Sequence, residues 1–252
     1  MQFNRLPIFA RFGFAALGLG LCALPAAAQT IVSPNSAATV EGNTNNAFPF
    51  HYNSSARYQQ VYAASEFSGL NGVEEITQIA FRPDALAGSS FSTSFANLQF
   101  DLSTTSKAVN GLDGVFANNV GADDTVVRSG AITLSSAFTG PAGGPKDFDI
   151  LIPLTTPFIY NPANGNLLLD IRKFSTEDIG TELNAADGSG VTSRNFGTNV
   201  SDSSRNNNIS GSQVGLVTQF TFAAAVPEPG SLSLFASVGV MGTGIFLRRR
   251  KK

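Results

Sequence analysis

Leu98, Phe100 and Leu102 alternate with Gln99, Asp101 and Ser103, a period of two that sends one set of side chains into a core and the other toward water, as in a strand. Phe148, Ile150 and Ile152 repeat the pattern among Asp147, Asp149 and Leu151. Val214, Leu216, Phe220 and Phe222 repeat it against Gly215, Gln219 and Thr221. Shorter candidate strands are Gln59 to Ala63, Ile76 to Phe81, Thr125 to Arg128 and Ala131 to Ser135. No stretch between residues 29 and 225 carries a convincing helical stripe, and the apolar runs are separated by Gly, Asn, Asp and Ser clusters that supply turns. The pattern predicts an all-β fold, an antiparallel β-sandwich of jelly-roll-like form.

Two apolar runs, Phe158 to Tyr160 and Leu167 to Ile171, flank Asn161 to Asn166, where Pro162 and the Asn164-Gly165 dipeptide favour a turn. The expectation is a hairpin with a longer loop. Pro153 and Pro157 each lack a backbone donor, which predicts an edge strand or a bulge there. Two polar stretches interrupt the alternation, Lys107 to Asp124 and Asn184 to Gln213, and the second is expected to be a long, flexible loop. With 21 Phe, 4 Tyr and no Trp, rings at alternating positions read as core packing between two sheets rather than as a ligand platform.

Different segments flank the alternating region. Residues 1–28 place Arg5 and Arg11 ahead of the apolar stretch Phe12 to Leu24, then Pro25 and Ala26 to Ala28. This is the order of a secretory signal peptide, with cleavage expected between Ala28 and Gln29. The one cysteine, Cys22, lies inside it, and the bulky Leu21 before it argues against lipid attachment. The mature chain therefore has no thiol for a disulfide, a nucleophile or a metal site. At the other end Pro227, Glu228 and Pro229 are expected to be stiff and extended. Ser231 to Leu247 carries no charge and as a helix would span roughly 26 Å, just enough to cross a bilayer. Arg248, Arg249, Arg250, Lys251 and Lys252 follow at once, which orients such a helix with its C-terminus in the cytoplasm.

This tripartite segment, Val226 to Lys252, resembles the PEP-CTERM sorting signal of Gram-negative bacteria, in which a Pro-Glu-Pro motif, a transmembrane helix and an Arg-rich tail occur in that order. The resemblance covers these 27 residues only. It implies recognition by an exosortase, with Pro227 to Pro229 as the recognised element. It implies transient residence in the inner membrane with the domain outside, then transfer to the cell surface or an exopolysaccharide matrix. A plain membrane anchor with a proline-rich spacer is the rival explanation.

Charge and chemistry narrow the class of the intervening domain, residues 29–225. Two of the 16 Lys and Arg fall in the first segment and five in the last, and one of the 18 Asp and Glu is Glu228, so the domain carries about eight net negative charges. That balance disfavours nucleic acid. His51 is the only histidine and no GxSxG elbow accompanies it, so a serine triad has little material. Asp113, Asp123 and Asp124 lie in a Gly- and Asn-rich stretch whose oxygens could collect around calcium, although the spacing fits no EF-hand. Asp147 with Asp149, or Glu74 with Glu75, are the doublets a glycosidase would need to place across a cleft. The sequons at Asn53, Asn199 and Asn208 carry no weight beside a bacterial sorting signal. The expectation is an exported, non-catalytic surface or matrix protein without a cofactor. A carbohydrate- or calcium-binding module and a secreted glycan-active hydrolase are the alternatives.

Overall fold

The computed structural model describes residues 28–200 and 213–224. Among them the chain forms β1 (Gln29–Ser33), β2 (Thr44–Asn46), β3 (Ala56–Tyr62), β4 (Glu74–Phe81), β5 (Phe91–Thr105) and β6 (Thr125–Ser136). It continues with β7 (Ile150–Tyr160), β8 (Asn166–Lys173), β9 (Leu183–Ala186), β10 (Thr192–Gly197), β11 (Gly215–Leu216) and β12 (Thr218–Ala224). The only helical turns among the described residues are short 3-10 segments. The described part of the chain is all-β, as the alternation predicts, and every strand pairing in it is antiparallel.

One sheet has the order β1-β12-β4-β7, a second β10-β3-β8-β5-β6, and a small third β11-β9-β2. The two larger sheets bury their facing residues in one core. Ile76, Ile79, Ile150, Ile152, Phe220 and Phe222 come from the four-stranded sheet, and Tyr58, Tyr62, Leu98, Phe100, Leu102, Leu169 and Ile171 from the five-stranded one. Phe67 packs edge-on to Tyr160 and Phe220 at ring-centroid distances of 5.2 and 5.7 Å, the geometry aromatic quadrupoles favour. The phenylalanines are thus mainly core material.

The sequence expectations fare unevenly. β7 is an edge strand, and its register against β4 shifts so that Pro153 faces Gln78 while Phe158 faces Ile76, a bulge spanning Pro157. Thr125 to Arg128 and Ala131 to Ser135 are parts of one strand, β6. The hairpin between residues 158 and 171 does not form. β7 pairs with β4 and β8 with β3 and β5, so the connection crosses from one sheet to the other. Each run buries an apolar face in the same core, and facing sheets satisfy both as well as adjacent strands would. The stretch from residue 184 to 213 is also corrected, since β9 and β10 lie within it. Their polar side chains are buried by pairing and hydrogen bonding: Asn184 Oδ1 accepts from the buried Arg82 at 3.0 and 2.9 Å. Residues 201–212 of that stretch lie outside the described residues.

Candidate functional site

The outer face of the five-stranded sheet is where side-chain chemistry concentrates. Strand alternation places Arg57 and Gln59 of β3, Asp170 and Arg172 of β8, and Gln99 and Asp101 of β5 side by side, with Asp101 directly opposite Asp170. Two like charges across a strand pair repel. Arg57 relieves them: its Nε donates to Asp170 Oδ1 at 3.0 Å and its Nη2 to Oδ2. Gln59 Nε2 adds a 2.8 Å bond to Asp170, and Arg172 reaches Asp101 at 3.8 Å.

The Lys107 to Asp124 stretch covers this lattice. Phe116 lays its ring 4.8 Å from the Arg57 guanidinium carbon, and its carbonyl accepts from Gln59 at 3.1 Å. Asn119 Nδ2 donates to Gln59 Oε1 at 2.9 Å. Leu112 packs with Val61 and Leu168. Gly121 permits the return of the chain onto β5, because a Cβ there would stand 1.9 Å from the Thr104 carbonyl oxygen. Sequence alternation puts Asp101 and Ser103 toward water, but each is 1% exposed because the loop excludes it. Burial pushes the Asp101 carboxyl up to about 6, against hydrogen bonds from Gln99, and neighbouring Asp170 adds to the rise.

Asp113, Asp123 and Asp124 do not converge. Asp113 Oδ1 accepts from Val115 N at 2.8 Å within the loop, and Asp123 Oδ1 accepts from Thr104 N of β5 at 2.7 Å, so one serves the loop's own turn and the other ties the loop to the strand. Asp124 is held above the ordinary carboxylate range by burial and by Asp170. No group of three or more His, Cys, Asp or Glu among the described residues is placed to hold a metal ion. Asp147 and Asp149 likewise hold a turn, accepting from Thr139 Oγ1 at 2.7 Å and Ala137 N at 2.8 Å. Glu74 and Glu75, being consecutive in β4, lie on opposite faces, Glu74 buried and accepting from Asn71 N at 3.2 Å. Glu74 and Glu75 therefore form no facing carboxylate pair.

His51 Nδ1 lies 2.6 Å from Asp178 Oδ1, and no serine hydroxyl among the described residues bonds the ring. Beside it sequence reasoning missed Lys173, which is fully buried and donates from Nζ to the carbonyls of Tyr52 and Glu177. Desolvation lowers its pKa, while Asp178 and Glu177 oppose that. It too missed Arg57, Asp170 and Arg82, because the partners that make them buriable are far away in the chain. An open groove of about 530 Å³ lies between edge strands β6 and β7, with Arg128, Thr133, Ser135, Asp149 and Leu151 among its walls. No aromatic ring lines it, and the exposed Phe174 lies elsewhere, so the stacking surface of a glycan platform is not present in it.

The ends of the fold complete the picture. β1 begins at Gln29 and pairs with β12, Gln29 facing Phe222, so both termini of the fold sit at one end of one sheet. Ala28 and Gln29 are in place at that end, whereas residues 1–27, Pro227 to Pro229, the 231–247 span and Arg248 to Lys252 lie outside the described residues. No curated protein and no solved structure matches the chain. The family model of the PEP-CTERM protein-sorting motif matches residues 225–251, beginning directly after β12, and the chain therefore carries a PEP-CTERM sorting motif.

Proposed function

We propose that this chain is an exported, non-catalytic surface or extracellular-matrix protein, held in the inner membrane by residues 231–247 and sorted there by an exosortase. The observation that carries the reading is the sorting motif at residues 225–251, immediately beyond the last strand. The start of β1 at Gln29 supports it from the other side, because the fold then occupies the span between the two targeting segments. Arg248 to Lys252 would fix the orientation.

The domain is a jelly-roll-like sandwich in this reading. If β1, β3, β4, β5, β6, β7, β8 and β12 are numbered one to eight, the sheets run 1-8-3-6 and 2-7-4-5. Strand one pairs with eight, two with seven, three with six and four with five, as when one long antiparallel ribbon is rolled on itself. The non-catalytic reading is supported by carboxylates that are occupied structurally: Asp170 by Arg57 and Asp147 by a turn. The test is Glu228→Gln, which keeps side-chain length and removes charge. In a host with an active exosortase the wild type should appear as a shorter form in the matrix or medium, and the variant should accumulate full-length in the inner membrane. Identical size and distribution would leave a plain anchor.

A further inference from the structure

β12 pairs with β4 as far as Ala224, opposite Glu74, past a register shift between Thr221 and Phe222, and with β1 as far as Phe222, opposite Gln29. Pro227 is the third residue beyond Ala224, and three residues reach at most about 10 Å. An enzyme that holds Pro227 to Pro229 must therefore work within roughly one sheet-to-sheet spacing, ~10 Å, of the folded edge. The surface around the end of β12 is brought against it.

That surface is built from the segment before β4, Ser68 to Val73, and the connection after β7, Asn161 to Asn164, since Ala224, Glu74 and Tyr160 share one row of the sheet. Gln29 Nε2 ties the N-terminus to the same rim through Gly69 O at 3.3 Å. Neither segment contains a charged residue. Of the acids that open β4, Glu74 is turned inward, and Glu75 lies on the outer face of the sheet. The opposite end of the same sheet is different, since Asp147 and Asp149 precede β7 and Arg82 and Asp84 follow β4. At the motif's own end the charges Lys107, Asp123 and Asp124 lie on the five-stranded sheet, after β5 and before β6, and the rim of the four-stranded sheet is neutral.

We propose that this neutral rim is a second docking surface for the sorting peptidase, which seats on the end of the four-stranded sheet while it holds Glu228. The inference rests on the sorting reading above and adds a recognition element within the folded domain. The rim offers exposed small and amide side chains, Asn71, Ala163 and Asn164, which can be covered at little desolvation cost. A charge placed there would have to lose water without a partner.

The test uses the full-length chain in a host with an active exosortase and follows conversion to the shorter form. Asn71→Glu and Ala163→Glu are made at the native spacing and again with a flexible Gly-Ser insert of about ten residues between Ala224 and Ala225. Both acids should slow conversion about tenfold at the native spacing, and the insert should bring each back to within about twofold of the matching wild type. No slowing at the native spacing, or equal slowing with and without the insert, overturns the rim contact. Conversion of the wild type with none of Glu228→Gln shows that the sorting reading stands whatever the rim variants do. Failure of the wild type to convert removes both.

Discussion

The two larger sheets share a core and differ on their other faces. Outward residues of the four-stranded sheet, such as Thr30, Glu75 and Thr221, meet solvent at least in part. The matching positions of the five-stranded sheet, Arg57, Gln59, Asp101 and Asp170, are buried beneath the 107–124 stretch. The same period-two pattern therefore has two physical meanings. On one sheet, polar means wet. On the other it means a hydrogen-bonded layer that must be satisfied internally, since an ion buried without its partner costs far more than a solvated one.

The inner faces should not distinguish the sheets. Phe100→Asp in one and Ile150→Asp in the other each place an unpaired carboxylate in the common core, at a cost of several kcal/mol that should prevent folding of residues 29–225. Circular dichroism, which should otherwise report mainly β-structure, checks it. A soluble, cooperatively melting product of either would break the core assignment.

The outer faces should differ sharply. Arg57→Met strips Asp170 of its main partner and should cost about 3–5 kcal/mol by chemical denaturation, with the loss largely recovered in Arg57→Met/Asp170→Leu. Asp101 adds a pH signature to the same face. Its folded pKa of about 6 lies above the ordinary value of 3.8, so between those pH values the folded chain holds more proton than the unfolded one. This group's contribution to stability therefore falls as pH rises from about 4 to about 6. Asp101→Asn should raise the melting temperature relative to wild type more at pH 7 than at pH 4. An equal shift at both would contradict the burial argument. Thr221→Ala, on the solvated face of the other sheet, should stay within about 0.5 kcal/mol of wild type.

How far the sequence could be read follows the same division. Leu98, Phe100, Ile150 and Phe220 announce their burial because alternation is local, and the all-β class follows from it. Asp101 and Ser103 mislead because what covers them, the loop carrying Phe116 and Asn119, consists of residues that read as turn-formers. Arg57 and Asp170 are 113 positions apart, and nothing local marks them as partners. The connection at Asn161 to Gly165 carries turn chemistry that serves a crossing between sheets as well as a hairpin, so composition alone did not decide between them. The sorting motif was legible for the opposite reason, since its three parts are contiguous.

The position of β12 between β1 and β4 also constrains when the protein can acquire its shape. A chain threaded across a membrane from its N-terminus delivers β1 first and the strand that must bond to it last. Until β12 arrives, β1 and β4 have no common neighbour and one wall of the core is missing Phe220 and Phe222. Closure joins the two extremes of the domain, the kind of long-range pairing that slows folding. On the export reading proposed above, the four-stranded sheet would close only once β12 had crossed, next to the sorting motif that follows it.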